Sequence, residues 1–138
     1  MQMDVSLKAS WLGALRSGQY VQGTEYLARG EIGRPVNFCC LGVLCEVIKL
    51  PKEIMLTKQY VRDPEDEAGE PRKAEFGCAY YTFGKEEMSS TLGENFMNTV
   101  GLNEADANML MRMNDGDEEI GHHTFLEIAD WIEQNGAI

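Results

Sequence analysis

The fold predicted for this chain is decided by one stretch, Phe38-Cys39-Cys40-Leu41-Gly42-Val43-Leu44-Cys45. Apolar residues recur in it at helical spacing, so it predicts a buried helix from Cys39 to Leu50 that Pro51 ends. Gly42 weakens a helix by about 1 kcal/mol relative to alanine, so we expect another part of the chain to approach it closely. The alternative is a buried strand, because periodicity does not distinguish short apolar runs.

Four further helices are predicted around this cysteine helix from their start and stop signals. The first helix is predicted between Ser6, its cap, and Gly18, and a second runs from Glu94 to Val100 and ends before Gly101. Asn103 caps the next helix, which Asn114-Asp115-Gly116 breaks. A Thr124–Glu127 capping box begins the last helix, and Gly136 ends it. The last two helices form a predicted helical hairpin packed on the cysteine helix.

Strands are predicted where aromatic and β-branched residues cluster, at Tyr20-Val21-Gln22, Tyr26-Leu27-Ala28 and Phe76 to Phe83. Residues 63–75 are rich in proline and charge, and we interpret them as an exposed, mobile loop. The sequence therefore predicts one α+β domain over residues 1–138. Helices dominate it, with a small antiparallel sheet and the C-terminal helical hairpin.

The charge of the chain excludes some partners. Its net charge is -11, which disfavours direct binding to nucleic acid or to an anionic membrane. The charge is uneven, since residues 1–62 carry a net +3 and residues 63–138 a net -14. The acidic half is either a solvated surface or a face for a basic partner, as in a mimic of DNA. No segment has the ~20 apolar residues that cross a bilayer, and the N-terminus does not resemble a secretory signal, so we predict a cytoplasmic protein.

The four cysteines are interpreted as free, buried thiols in a reducing compartment. Cys39 and Cys40 are adjacent, and adjacent helical residues point about 100° apart, so one ion cannot easily bind both. No metal site and no cofactor is predicted. A nucleophilic cysteine paired with His122 or His123 is an alternative that no spacing favours.

The best candidate for a ligand site is the turn from Arg16 to Gly23, which combines a cation, an aromatic ring and amides. Arginine suits phosphate and tyrosine can stack on a base. The candidate ligand-binding residues are Arg16, Tyr20, Gln22, Tyr26, Arg29 and Asn114, with Arg34 nearby in the sequence. The alternative is structural, with Tyr20 in the core and Asn114 bracing the Gln22 turn.

Motifs along the chain add a resemblance. They are Arg-Ser-Gly-x-Tyr-x-Gln-Gly at Arg16 to Gly23, Cys-Cys-Leu-Gly-Val-Leu-Cys at Cys39 to Cys45, Met-Asn-Asp at Met113 to Asp115, and Phe-x-Glu-Ile-Ala-x-x-Ile-Glu at Phe125 to Glu133. Together they resemble a family of small bacteriophage and prophage proteins, for which we carry over no catalytic residue. The chain departs from that pattern at Gly93, where proline often stands.

The resemblance implies an accessory protein that binds and blocks a host component in the host cytoplasm. The leading hypothesis is capture of a small nucleotide-like defence signal by the N-terminal half. A second hypothesis is an acidic inhibitor of a host protein, acting through Asp117, Glu118 and Glu119. A third is a small nucleotide-processing enzyme, which no residue spacing supports. A homo-oligomer through Met109 and Met113 is a further option.

Overall fold

Five helices and six strands form the described part of the chain, which is residues 2–62 and 69–138 of a computed structural model. In chain order they are α1 (Val5–Arg16), β1 (Val21–Gln22), β2 (Ala28–Glu31), β3 (Asn37–Phe38), α2 (Cys40–Ile48), β4 (Lys52–Val61), β5 (Arg72–Phe83), β6 (Glu86–Met88), α3 (Glu94–Val100), α4 (Glu104–Asp115) and α5 (Phe125–Gln134). The predicted α+β class is confirmed.

The strands form one sheet in the order β1-β3-β2-β5-β4, with β6 beside one end of β5. All pairs are antiparallel except β1 and β3, which are parallel. The strand predicted at Tyr26-Leu27-Ala28 is found two residues later, as β2. The sheet is larger than predicted because it includes β3, β4 and β6, where the sequence predicts no strand, and because β5 begins at Arg72 rather than Phe76. The predicted loop over 63–75 is therefore wrong from Arg72 to Glu75, and residues 63–68 lie outside the described residues.

The predicted helix at the cysteine segment is confirmed, with shifted ends. Cys39 is its N-cap, and the Cys39 Sγ accepts a hydrogen bond from the Gly42 backbone N–H at 3.3 Å. Lys49 ends the helix in a left-handed conformation (φ 64°), two residues before Pro51. The expected close approach at Gly42 is also confirmed, because a β-carbon there would lie 1.8 Å from the Leu27 carbonyl oxygen. Only glycine fits between this helix and the start of β2.

Other helix boundaries follow their caps. The Asn103 cap and the Thr124–Glu127 capping box are present as predicted. The Ser6 cap is wrong, since the Asp4 carboxylate accepts from the backbone N–H groups of Ser6 and Leu7 and caps α1. Helix α1 ends at Arg16, α4 runs through Asp115 to Gly116, and α5 ends at Asn135 rather than at Gly136.

The core lies between the helices and one face of the sheet. Helix α1 packs against α2 and α5, and α4 packs against α2 and α5, which places the predicted hairpin on the cysteine helix. The largest fully buried side chains include Trp11, Leu41, Leu44, Tyr81, Phe96, Leu110, Ile128 and Ile132. Met113 is buried and Met109 packs against this core, so they do not form the exposed surface that the oligomer hypothesis requires. Among the described residues, none of the helices is long and apolar enough to span a bilayer.

Candidate functional site

Gln22 connects the β1 turn to the start of α5. Its Nε2 donates to the Asn114 Oδ1 at 3.1 Å and to the His123 carbonyl at 2.8 Å. Its Oε1 accepts from the Phe125 backbone N–H at 3.1 Å. These bonds occupy the amide on both sides, so Gln22 contributes first to holding the fold together.

Asn114 is the only buried polar or charged side chain among the described residues, and its exposure is 0 %. Its Oδ1 accepts from the Cys40 backbone N–H at 3.1 Å as well as from Gln22, and its Nδ2 donates to the Gly23 carbonyl at 2.8 Å. We call Gln22, Asn114 and the groups they bond the amide cluster. The prediction that Asn114 braces the Gln22 turn is confirmed, and its burial keeps it from contact with a ligand in solution.

Arg16 makes its side-chain hydrogen bonds to helix α5. Its Nη2 donates to Asp130 at 2.8 Å and also to Glu133, which joins the end of α1 to α5. The hydrogen bonds that Arg16 donates to Glu133 and then to Asp130 raise the pKa of Arg16. Among the described residues, the structure thus gives the charge of Arg16 two partners on α5, unlike any other predicted ligand residue.

Tyr20 also has a structural contact, since its ring meets the Phe38 ring edge-on with centroids 5.1 Å apart. Such an edge-to-face pair suits two half-buried rings at the border of the core. Tyr20 is therefore partly buried and packs against the core, rather than lying within it as the structural alternative predicts.

Arg29 and Tyr26 remain, and Arg29 lines an open cleft of about 590 Å³ that we call the Arg29 cleft. The cleft is lined by Val21, Gln22, Gly23, Thr24, Arg29, Gly30, Glu31, Arg34, Pro35, Asn37 and Phe76. The Arg29 guanidinium carbon lies 4.3 Å from the Phe76 ring centroid and 5.1 Å from that of Tyr26. Within residues 2–62 and 69–138 this guanidinium has no carboxylate partner and no hydrogen-bond acceptor.

The charges in the cleft leave Arg29 uncompensated. Glu31 is the single carboxylate among the described lining residues, beside the two arginines Arg29 and Arg34. Glu31 binds Arg34 at 3.1 Å and binds Arg72 through both of its oxygens. Since the charge of Glu31 is already shared by two guanidinium groups, the lining has a formal excess of one positive charge, which belongs to Arg29.

A family model described as a domain of unknown function, DUF8296, matches residues 3–136. The chain belongs to the DUF8296 family. No curated protein and no solved structure matches it. Because the family description assigns no activity, the function of this DUF8296 domain has to be argued from its geometry.

The acidic turn of this DUF8296 domain, Asp117 to Glu119, is partly neutralised within the fold. Asp117 accepts from the Arg112 Nε at 2.6 Å and from the backbone N–H groups of Glu119 and Ile120. The backbone bond from Ile120 and the bond from Arg112 lower the pKa of Asp117. Glu119 also binds Arg112 at 3.1 Å, and Glu118 is exposed. Two of the three predicted partner-binding carboxylates thus close the turn after α4.

All four thiols are free and buried. Burial raises the pKa of Cys39 to about 11 and raises those of Cys40, Cys45 and Cys78 as well. A thiolate is the form that attacks carbon or binds metal, so these environments oppose both roles. Among the described residues, no three histidine, cysteine or acidic side chains come close enough to hold a metal ion.

Sequence reasoning missed two parts of the Arg29 cleft, Phe76 and Glu31. Phe76 was assigned to a strand, but its position beside Arg29 depends on the β2–β5 register, which pairs Arg29 with Cys78 and Glu31 with Phe76. The alternation Arg29-Gly30-Glu31 was the available signal, because residues two apart in a strand share a face.

Proposed function

We propose that this protein binds and sequesters a small, nucleotide-like anion in the Arg29 cleft. The observation that carries the proposal is the half-buried Arg29 guanidinium without an anionic partner among the described residues. A guanidinium that is partly desolvated and uncompensated costs free energy unless an anion or water satisfies its five N–H donors.

The surroundings of Arg29 favour phosphate as that anion. Rings near a guanidinium restrict its rotation and leave its edge, with the N–H donors, available. A planar edge of this kind matches two oxygens of a phosphate, which gives a bidentate, charge-assisted contact. Arg34 lines the same cleft and adds a second cation at its rim.

The size of the cleft and its uncharged lining residues favour a ligand larger than phosphate alone. Its volume of about 590 Å³ falls within the roughly 300–1,000 Å³ usual for small-molecule sites. Phe76 offers an apolar surface, and Asn37 offers an amide that can donate and accept. A nucleoside attached to the phosphate would use both kinds of group.

Binding without turnover is the form of the proposal that the lining residues support. The described lining residues include neither histidine nor cysteine, and their single carboxylate, Glu31, is held by two arginines. General acid–base or nucleophilic chemistry would need a group of matched pKa within reach of the ligand. Capture of a host signal in this way is one of the roles that the motif resemblance to phage accessory proteins implies.

Titration calorimetry with a panel of nucleoside monophosphates, cyclic mononucleotides and cyclic dinucleotides tests the proposal. We expect Arg29→Ala to weaken binding of the retained ligand by at least about tenfold, since one charge-assisted contact is worth ~1.5–3 kcal/mol. Arg16→Ala is the matched control, because it removes an arginine that lies outside the cleft. Its dissociation constant should equal that of the wild type.

Two results would overturn the proposal. One is equal affinity of the wild type and Arg29→Ala for every ligand that binds. The other is conversion of the bound ligand to a product, detected by mass spectrometry after denaturation, which would favour the enzyme hypothesis instead.

A further inference from the structure

The outermost strand of the sheet, β4, is exposed along its length. Residues from Lys52 to Tyr60 are exposed on both faces, and among the described residues β4 pairs with β5 alone. At its centre Ile54, Met55 and Leu56 keep 52%, 53% and 57% of their surface exposed. Three consecutive apolar residues at a sheet edge are unusual, because such edges recruit other strands.

The exposed apolar residues form a patch on one face of the sheet. A β-carbon at Gly77 would lie 2.8 Å from Ile54 Cγ2, 3.5 Å from Ile32 Cδ1 and 3.9 Å from Leu56 Cδ2. These three side chains therefore converge over Gly77, and we call them the Gly77 patch. Helix α2 covers the other end of this face, where Tyr81 is buried and bonds Glu46, but the patch lies beyond it.

The β4 edge carries Lys52 and Lys58 but lacks two other features that usually protect an edge, a bulge and a proline. Its pairing with β5 runs without a bulge from Lys52 opposite Tyr81 to Val61 opposite Arg72. Proline does not occur in β4, so its outward backbone N–H and C=O groups can form a regular ladder. An extended strand is the structure that satisfies such a row of groups.

We infer that β4 pairs antiparallel with β4 of a second copy of this chain, about a two-fold axis at Met55 and perpendicular to the sheet. Such an axis keeps the same face of both sheets on the same side, and closed two-fold dimers are the commonest homo-oligomers. Met55 would meet Met55 of the second copy, and Ile54 would meet its Leu56. The apolar residues of one copy then face apolar residues of the other on both faces.

Neighbouring symmetric registers do not give this match. An axis at Leu56 places Ile54 opposite Lys58, and an axis at Ile54 places Leu56 opposite Lys52. The Met55 register places Lys52 opposite Lys58, and each lysine has its own carboxylate nearby. Lys52 binds Glu46 at 3.0 Å, and Lys58 lies in register with Glu75 on β5. Charge compensation within each copy therefore permits the two lysines to meet.

Light scattering coupled to size-exclusion chromatography tests the dimer. We expect the wild type to elute with twice the chain mass at micromolar concentration, and Leu56→Lys to raise the dimer dissociation constant at least about tenfold, since it places a charge opposite Ile54. Leu126→Lys on α5 is the matched control, because Leu126 is 59% exposed and Leu56 is 57% exposed. A monomeric wild type, or equal dimer dissociation constants for Leu56→Lys and Leu126→Lys, would overturn the inference.

Cross-linking tests the register. Because Cys78 lies opposite Met55 on β5, the background is Cys78→Ala. We expect Met55→Cys to give covalent dimers with a short bifunctional maleimide, and Gln59→Cys, on the same face but away from the axis, to give few. Cross-linking of Gln59→Cys in preference to Met55→Cys would contradict the Met55 register.

Discussion

The amide cluster and the Arg29 cleft both include Gln22 and Gly23 but differ in how their polar groups are satisfied. Asn114 is completely buried and bonds Gln22, Gly23 and Cys40. The Arg29 guanidinium contacts two rings and no acceptor among the described residues. A polar side chain whose partners are all within the fold acts in stability. One left without them is the better candidate for binding.

The largest expected effect is on the amide cluster. Asn114→Ala should lower the free energy of unfolding by about 2–4 kcal/mol, because it leaves the Gly23 carbonyl and the Cys40 N–H buried without partners. Urea unfolding measures the change. Asn108→Ala is the matched control, since Asn108 lies on the same helix and is exposed; we expect it to stay within about 0.5 kcal/mol of the wild type.

Urea unfolding of Arg29→Ala tests whether the Arg29 cleft differs from the amide cluster in its contribution to stability. Loss of two ring contacts should cost about 1 kcal/mol or less. If Arg29→Ala destabilised the chain as much as Asn114→Ala, the two regions would both be structural and the distinction between them would fail.

Thiol reactivity gives the next largest effect. At pH 8 a thiol of pKa about 11 is ionised in roughly one molecule in a thousand, so Cys39 should react with Ellman's reagent on the order of 100-fold more slowly in the folded chain than in urea. Asn114→Ala should make Cys39 react faster in the folded chain, since the amide cluster holds the start of α2. Rapid reaction of one thiol in the folded wild type would contradict this prediction and favour the alternative of a cysteine nucleophile.

The smallest effect concerns the capping box of α5. The backbone hydrogen bond from Thr124 lowers the pKa of Glu127 below its usual 4.5. A lowered pKa in the folded state means that Glu127 stabilises the fold above about pH 4.5, and that this contribution is lost as the pH falls through the folded value. Unfolding measured between pH 6 and about pH 3 should therefore show a shallower acid dependence for Glu127→Gln. Identical slopes would contradict the assignment.

Sequence predicted the helices best because their signals are local. The Thr124–Glu127 box and the Asn103 cap each depend on residues within one turn. Strand β4 was missed because it is exposed on both faces and so has no alternation of apolar and polar residues. Its conformation is imposed by pairing with β5, which the local sequence does not encode.

The candidate site was predicted only in part, for a similar reason. Arg29 and Tyr26 are both predicted ligand-binding residues, and in the structure the Arg29 guanidinium lies over the Tyr26 ring. Arg16 was grouped with them by proximity in sequence, but its partners Asp130 and Glu133 follow it by 114 and 117 residues. Whether an arginine forms ion pairs within the fold depends on carboxylates distant in the sequence. The residues around Arg16 give no indication of them.

The amide cluster also has a consequence for the order in which the chain folds. Gln22 meets Asn114 across 92 residues, and the Cys40 N–H meets it across 74. Closing such long loops early is entropically costly, and contacts distant in sequence slow folding. During synthesis, the first turn of α2 and the carbonyl of Gly23 would wait for residue 114 to leave the ribosome. Until then, the N-terminal half would expose an apolar cysteine segment that chaperones can bind.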